Sequence, residues 1–397
     1  MNESDPTATP VPETTAGSIE AAELRSQIEG GEEVTILDVR VTADFETWHI
    51  DGEGVEVENV PYYAFLEDEQ AAIERVPGGD PIVVVCAEGD ASEYVASLLE
   101  AADREAVNLR GGMDAWARLY DATEITAYVG PGTIVQYHRP STGCLGYLVE
   151  SGGEAAVIDP LRAFTDRYLE HAAARGADLE YAIDTHCHAD HVSGVGSLSK
   201  AGVVGVIPQA TVDRGMEIEA DLLRVEDGET IEVGDLTIEA RHTPGHTTGM
   251  TTYFVDGSVL LTGDSLFVGS VARPDLEAGD EGAPEAARTL YDSLQEKILT
   301  LDSEVIVAGG HRAENENPGA DGTYTATLGT LSERLSELAM DRTEFVEYVL
   351  SNMPPRPANY ETIIDANLGH REIDAEEAFR IELGPNNCAA SQDATMG

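Results

Sequence analysis

Short blocks of apolar residues separated by polar turns predict a chain in which strands alternate with amphipathic helices. In the N-terminal third, residues 33–40 and 81–85 are mostly apolar runs of strand length, which is typical of buried strands. After residue 86 the apolar spacing becomes helical, with one face formed by Tyr94, Val95, Leu98 and Leu99. This part of the chain is therefore predicted to alternate buried strands with helices.

The remainder of the chain continues the pattern with more strands. Strands are predicted at residues 181–184, 236–241, 258–261 and 304–307. Amphipathic helices are predicted at residues 163–175, 283–299 and 331–340. We expect a core of sheet packed on sheet, with helices outside. Helix-like residues 344–350 and 375–381 predict a C-terminal extension that covers part of this domain or joins two copies of the chain.

The length of 397 residues is enough for two or three domains, each with its own core. Residues 1–17 are acidic and rich in Thr and Pro, and they lack the charged-then-apolar order of a signal peptide, so they predict a disordered tail. Two domains are predicted at residues 18–122 and 126–340, with the linker at 121–125 and the C-terminal extension at 341–397.

The charge balance excludes several classes of partner. The chain has 75 acidic and 23 basic residues, a net charge of −52 spread over its whole length. Phosphates would be repelled by such a surface, so nucleic acids and anionic membranes are not expected as partners. No apolar run reaches the roughly 18 residues of a membrane helix, and four cysteines are few for this length. We therefore expect a soluble cytoplasmic protein with reduced thiols.

The acidic composition resembles that of proteins from salt-accumulating archaea, while 42% hydrophobic residues argue against a disordered chain. Molar salt shortens the Debye length to about 3 Å, which weakens the repulsion between surface carboxylates. We predict that the melting temperature rises between low and molar salt. A thermal unfolding series in KCl would check this, and a melting temperature that does not rise would contradict the halophilic interpretation.

Residues 185–191 contain three histidines and one aspartate, more ligating groups than a folding core would leave without partners. They follow the predicted strand 181–184 and precede a turn, which places them on a loop at the end of a strand. Three later loops that follow predicted strands can converge on the same edge. Together the loops supply seven candidate metal ligands: His186, His188, Asp190, His191, His246, Asp264 and His311.

The ligand count leaves two kinds of metal centre open. The full set could hold two zinc ions, with a bridging hydroxide as the nucleophile. A subset of His186, His246 and Asp264 could instead form a face of two histidines and one carboxylate that leaves three positions open. That second geometry suits ferrous iron and dioxygen chemistry.

The ordered motifs HxHxDH, TPGH, GD and GH, within about residues 133–311, resemble the metallo-β-lactamase superfamily. The resemblance implies an αββα sandwich. The Ala before Asp190, the Ser-Gly after Val192 and residues 156–162 and 264–276 are similar to the persulfide dioxygenase branch. This likeness implies one Fe(II) per chain, a low-molecular-weight thiol persulfide and O2 as substrates, and sulfite and the free thiol as products.

The same likeness divides the candidate ligands into two groups. It implies that His186, His246 and Asp264 hold the iron. The other four, His188, Asp190, His191 and His311, become partners of those ligands or would hold a second metal.

The N-terminal domain resembles rhodaneses, whose family carries sulfur as a cysteine persulfide and whose fold is a parallel α/β sheet. The resemblance rests on residues 33–40, on Cys86 at the end of a strand, and on residues 109–116. A thiol at a strand-to-helix loop faces backbone N–H groups and the positive end of the helix, which favours thiolate or persulfide. Glu88 and Asp90 stand where active rhodaneses usually have basic or hydroxyl groups, so binding of anionic thiosulfate should be weak.

Three further residues near the motifs have predicted roles. Arg273 is a candidate for binding a carboxylate of the substrate, with a surface ion pair to Asp275 or Glu277 as the alternative. Asp159 ends an apolar strand and is predicted to orient the ligand loops by hydrogen bonds. Alternation points Cys187 away from the metal, so it is predicted to be a packed thiol. No role is assigned to Cys388.

Two alternative functions remain open. A binuclear zinc centre would make the protein a thioester hydrolase similar to glyoxalase II, and a centre without turnover would leave a sulfur-relay protein. The chain reads His311-Arg312-Ala313 where single-domain dioxygenases usually have His-Asp-Tyr, while residues 325–331 and 354–360 resemble the rhodanese-fused branch. A rhodanese domain has a chemical rationale beside a persulfide oxidase, because both handle sulfane sulfur, and this favours the dioxygenase.

Overall fold

The computed structural model describes residues 16–217, 222–312, 316–384 and 388–390. The chain divides into two compact units, Met1–Leu119 and Tyr120–Gly397. Among the described residues no helix is both long enough and apolar enough to span a bilayer.

The structure sharpens two of the predicted boundaries. Residues 1–15 of the predicted tail lie outside the described part, whereas Gly17 already pairs with Val107 in a sheet. The linker predicted at 121–125 is wrong, because Asp121–Glu124 is a strand that pairs antiparallel with Thr133–His138. Alternation of half-buried and exposed residues in that segment fits an edge strand.

The first unit is a parallel sheet with the strand order β1-β5-β4-β2-β3, which confirms the predicted rhodanese-type architecture. The strands are β1 (Gly17–Ile19), β2 (Val34–Asp38), β3 (Val55–Asn59), β4 (Ile82–Val85) and β5 (Ala106–Leu109). The helices are α1 (Ala21–Glu29), α2 (Thr42–Thr47), α3 (Tyr62–Glu67), α4 (Glu69–Ile73), α5 (Asp90–Ala101) and α6 (Gly112–Ala117). The central strand β4 is buried throughout, and Cys86 follows directly at its carboxyl end.

The second unit contains two mixed sheets. The first has the order β12-β11-β10-β9-β8-β7-β6 and the second the order β13-β14-β15-β16-β17-β18. The first sheet is formed by β6 (Asp121–Glu124), β7 (Thr133–His138), β8 (Leu145–Ser151), β9 (Glu154–Ile158), β10 (Asp178–Ile183), β11 (Val204–Pro208) and β12 (Leu223–Val225). The second is formed by β13 (Thr230–Val233), β14 (Leu236–His242), β15 (Thr251–Val255), β16 (Val259–Gly263), β17 (Ile306–Gly309) and β18 (Thr325–Thr327).

Helices cover the outer faces of both sheets and form the C-terminal extension. They are α7 (Thr165–Ala174), α8 (Val195–Lys200), α9 (Gln209–Asp213), α10 (Asp275–Ser293), α11 (Leu328–Arg334), α12 (Arg342–Ser351), α13 (Tyr360–Asn367) and α14 (Ala375–Ile381). Short 3-10 helices lie at Arg162–Phe164 and Ser336–Ala339, and a π-helical turn at Leu294–Ile298 continues α10. Helix α10 is kinked at Gly279, where φ is 65°.

Among the described residues, three large apolar clusters hold the layers of this unit together, and a smaller fourth cluster includes Cys187 and Leu276. The first lies between the sheets and joins Ile158 and Ile183 of one sheet to Ile238 and Leu261 of the other. The second packs α10 and α12 on the second sheet, and the third packs α7 and α8 on the first. Burial of these faces confirms the predicted αββα sandwich, because each sheet has one face toward its partner and one under helices.

Candidate metal centre

Four loops carry the seven predicted ligands to one edge of the sandwich. They follow β10, β14, β16 and β17, whose carboxyl ends lie together. The loop after β10 joins the second sheet through a hydrogen bond from Thr251 N to Thr185 O (2.9 Å). None of the seven predicted ligands is more than 6% exposed: His186, His188, Asp190, His191, His246, Asp264 and His311. The chain thus gathers a group of ionisable side chains away from bulk water.

Three atoms in this group face one another without hydrogen-bond partners among the described residues. They are His186 Nε2, His246 Nε2 and Asp264 Oδ2. Asp264 Oδ2 lies 3.9 Å from His186 Nε2 and 3.6 Å from His246 Nε2. Ligands at about 2.0–2.2 Å from one metal ion lie roughly 3–4 Å apart, so these spacings fit a shared ion. Buried polar atoms are costly without partners, and a metal ion would satisfy all three.

Hydrogen bonds at the opposite ring nitrogens set the tautomers of the two histidines. His246 Nδ1 donates to the Arg273 carbonyl oxygen (2.8 Å), which can only accept. His186 Nδ1 donates to Thr185 Oγ1 (2.8 Å), whose hydroxyl in turn donates to Asp159 Oδ2 (3.0 Å). Both Nε2 atoms therefore carry a lone pair. Burial lowers the pKa of each ring, so both histidines stay in the neutral form that binds metals.

His311 occupies a different position, between two carboxylates. Its Nδ1 lies 2.8 Å from Asp264 Oδ1 and its Nε2 lies 3.1 Å from Asp190 Oδ2. Burial opposes the charged ring, but Asp264 and Asp190 together raise the pKa of His311 well above its usual range. A ring that donates from both nitrogens has no lone pair for a metal. His311 thus holds Asp264 in place and leaves Oδ2 of that carboxylate free.

Two more of the predicted ligands are also hydrogen-bonded to carboxylates. His191 Nδ1 lies 2.8 Å from Asp190 Oδ2, and His188 Nε2 lies 3.1 Å from Asp159 Oδ1. The other ring nitrogens, His191 Nε2 and His188 Nδ1, have no hydrogen-bond partner among the described residues and could bind a second metal ion. Asp159 also accepts from the Thr185 backbone N–H (2.7 Å). These contacts are the ones that the predicted orienting role of Asp159 requires.

Arg273 does not take the role predicted for it. The side chain is 1% exposed, and its Nε and Nη2 donate to the two carboxylate oxygens of Asp275 at 2.7 and 3.0 Å. A third donor, Nη1, binds the Pro355 carbonyl oxygen (3.0 Å). A guanidinium neutralised in this way is not placed to bind a carboxylate of the substrate. The alternative ion pair with Asp275 forms, but it is buried and not at the surface as predicted. Arg273 contributes to the site through its backbone carbonyl instead.

Two cysteines lie at the metal centre that no sequence signal indicates. Cys144 Sγ is 3.3 Å from Asp190 Oδ2. The Cys388 thiol lies within 4.8 Å of a ligand atom of both Asp190 and His311. Both cysteines are isolated in sequence, and only the fold brings them here. Cys187, by contrast, is packed against Leu276 as predicted, and burial raises its pKa to about 12.

A cavity lies beside His246 on the loop that follows β14. It measures about 200 Å³ and is lined by His246 together with Pro244, Thr247, Pro274 and Ala278. Its mostly apolar wall suits a small molecule.

In the first unit, Cys86 lies at the junction of β4 and α5. Its Sγ accepts a hydrogen bond from Gly89 N (3.0 Å) and lies 3.2 Å from Ser92 Oγ, whose hydroxyl has a shorter contact to Asn108 Oδ1 (2.7 Å). The sulfur therefore faces the amino end of a 12-residue helix, as the sequence predicts. Glu88 and Asp90 of the same loop are exposed.

Two family models match the chain, one in each unit. Residues 140–311 match the metallo-beta-lactamase superfamily, and residues 20–119 match the rhodanese-like domain. Both predicted resemblances are thereby confirmed.

Two known proteins show which branch the second unit resembles, and a third shows its fold. The chain is 31% identical over 243 residues to persulfide dioxygenase ETHE1, mitochondrial, of Homo sapiens, covering 60% of this chain and 88% of that protein. The crystal structure of ETHE1 from Myxococcus xanthus gives a TM-score of 0.51 at 27% identity, over 59% of this chain and 97% of that one. A metallo-beta-lactamase from Staphylococcus aureus gives a TM-score of 0.56 at 24% identity, over 62% of this chain and 75% of that one, and shows the fold alone.

The fold, the buried histidines and carboxylates, and the matched length all agree with this resemblance. An enzyme of this type requires a metal, and the unpartnered atoms of the centre fit one. The chain therefore belongs to the persulfide dioxygenase ETHE1 family of the metallo-β-lactamase superfamily, with a rhodanese-like domain ahead of the metal-binding fold.

Proposed function

We propose that the protein oxidises the sulfane sulfur of a low-molecular-weight thiol persulfide with O2, at a single Fe(II) held by His186, His246 and Asp264. One persulfide, one O2 and one water give one thiol, one sulfite and two protons. The observation that carries the proposal is the group of His186 Nε2, His246 Nε2 and Asp264 Oδ2, which lie within 4.8 Å of one another without hydrogen-bond partners among the described residues. His188 Nδ1 and His191 Nε2 also lack partners there, but both nitrogens of His311 contact carboxylates, which leaves a second metal ion fewer ligands.

The iron would supply the redox chemistry with dioxygen, and the protein supplies position and charge. His186 and His246 present fixed lone pairs, because their Nδ1 atoms are already committed to hydrogen bonds. Asp264 supplies one negative charge through Oδ2, while its Oδ1 is held by His311. Two neutral ligands and one carboxylate would leave coordination positions open for the persulfide sulfur and O2. Burial of every ligand keeps bulk water away from the reacting sulfur.

Metal analysis combined with oxygen uptake tests this proposal. Protein purified without added metal is expected to contain about one iron per chain, and it should consume O2 and form sulfite when a thiol persulfide is added. Thioester hydrolysis should be absent. Two zinc ions per chain with no oxygen uptake would contradict the proposal and favour the hydrolase.

We also propose that Cys86 carries a sulfane sulfur as a persulfide. The Gly89 N–H donates to its Sγ, and the amino end of α5 points at the same loop, so this position can hold a persulfide sulfur by hydrogen bonding. Exposed Glu88 and Asp90 would repel a dianion such as thiosulfate. The donor favoured by this loop is therefore a persulfide of lower charge.

Labelling with a 35S-persulfide donor should place sulfur on Cys86 in a form released by cyanide. The Cys86→Ser variant should lose this label, whereas the Cys187→Ser control, which removes a packed thiol of the other unit, should keep it. Thiosulfate should label the protein less well than the persulfide. Equal labelling of wild type and Cys86→Ser, or no labelling of either, would contradict a carrier role and favour a docking domain.

A further inference from the structure

Helix α13 of the C-terminal extension ends on the loop that carries four of the predicted ligands. The Asn367 side-chain amide donates to the carbonyl oxygens of His188 (2.9 Å) and His191 (2.8 Å). Its Oδ1 accepts from the Ser193 backbone N–H (2.9 Å). Asn367 is 5% exposed, so these bonds form without competition from water. One buried side chain thus holds the loop backbone at three points.

The residue after α14 holds the same loop at a fourth point. Glu382 Oε1 accepts from the Val192 N–H (2.9 Å), while its Oε2 forms an ion pair with Arg139 (2.7 Å). The backbone from residue 188 to residue 193 is therefore fixed by two side chains of the extension. His186 precedes this stretch on the same loop.

The last described residues of the chain contact the centre from a different side. Ala389 forms an antiparallel bridge with Ala272, Arg273 N donates to Cys388 O (3.1 Å), and Ala390 N donates to Val271 O (2.9 Å). The strand-like segment 271–273 held in this way presents the Arg273 carbonyl to His246 Nδ1 (2.8 Å). A continuous series of backbone bonds therefore links residues 388–390 to a proposed metal ligand.

We infer that the C-terminal extension is a positioning element of the metal centre, with Asn367 fixing the loop of His186 and residues 388–390 fixing His246. A histidine ligand binds well only when the partner of its other nitrogen is itself fixed, and loss of such partners typically costs 10–100-fold in metal affinity. For His246 that partner is a backbone carbonyl, which is only as rigid as the segment that carries it. The inference rests on the metal site proposed above.

Two changes to the extension test it, with Co²⁺ as the probe. Asn367→Asp keeps the shape of the side chain but replaces the donor to two carbonyls with an acceptor. A chain ending at Gly384 removes residues 388–390. Each is expected to lower Co²⁺ affinity by about 10–100-fold and to shift the visible absorption of the bound Co²⁺, because the ligand geometry changes. Melting of the metal-free proteins reports separately on folding.

Matched variants serve as controls. Asn359→Asp makes the same chemical change in the extension, at an exposed amide that also donates to a carbonyl, that of Ile381 (3.1 Å). A chain ending at Ala390 keeps residues 388–390. Both controls should bind Co²⁺ like the wild type, with the same spectrum.

The outcomes separate this inference from the proposed function. Wild-type affinity and spectrum in both Asn367→Asp and the chain ending at Gly384 would overturn the positioning role. Equal losses in a control and its matched variant would overturn it too. Co²⁺ binding that is the same in His246→Ala as in the wild type would instead contradict the metal site itself.

Discussion

Replacing His246 with alanine is expected to remove the iron and to abolish persulfide-dependent oxygen uptake. The residue supplies one of the three ligand atoms proposed to hold the iron, and Asp264 Oδ2 lies 3.6 Å from its Nε2. Two remaining ligands cannot form the two-histidine, one-carboxylate face. Metal affinity should therefore fall by more than about 100-fold, which is the upper end of the effect of losing a partner of a ligand. Chelator competition and iron analysis of the purified variant would measure the change.

The matched variant at His191 decides between one metal and two. In the proposed centre His191 only supports Asp190, through a 2.8 Å contact, so His191→Ala should retain iron with at most a 10–100-fold loss of affinity. His242, the last residue of β14, precedes the loop that carries His246. His242→Ala should leave the iron content unchanged. A binuclear centre would behave differently, because His191→Ala would lose one of two metal ions. That result would contradict the mononuclear proposal.

Replacing Glu382 with alanine is expected to lower the free energy of unfolding of the second unit by about 3–5 kcal/mol, the usual cost of breaking a buried ion pair from one side. Both side chains of the Arg139–Glu382 pair are 0% exposed and lie 2.7 Å apart. The Arg139 guanidinium also lies over the Phe164 and Phe379 rings, where water cannot replace the lost carboxylate. The Val192 N–H would lose its acceptor as well. Denaturant unfolding of the metal-free protein would measure the change.

An exposed ion pair on α14, the helix that directly precedes Glu382, provides the comparison. Glu376 and Arg380 are 73% and 61% exposed, so Glu376→Ala should cost under about 1 kcal/mol. A double variant, Arg139→Met with Glu382→Leu, should recover much of the loss, because well-packed apolar side chains often replace a buried pair without cost. Similar losses for Glu376→Ala and Glu382→Ala would show that burial does not set the strength of this contact.

Local patterns in the sequence were sufficient to predict the elements around the metal centre. The predicted strands 181–184 and 236–241 correspond to β10 and β14, and each ends within a few residues of a ligand. Ligands that directly follow strands can be predicted from the sequence, because the ends of strands lie at the edges of sheets. The predicted helix at 375–381 is α14, with the same bounds. Helix α13 was not predicted, although its last residue contacts the loop that carries His186.

Long-range contacts explain the errors. Arg273 has two acidic neighbours in sequence, and spacing could not show whether it faces a substrate or pairs with Asp275. Residues 121–125 lack an apolar run because an edge strand needs only one buried face, so they were read as a linker. Cys388 lies 77 residues beyond His311, and no motif connects them.

The sequence by itself determined the two domain types, the four ligand loops and the seven buried groups, because each is written in a short segment whose spacing has a direct physical meaning. Only the tertiary structure decided that ligand atoms of His186, His246 and Asp264 lie together, that Arg273 acts through its carbonyl, and that the C-terminal extension reaches the metal centre. The reason is that a ligand's availability depends on what its other atoms bind. Those partners come from segments far apart in the chain, which only folding brings together.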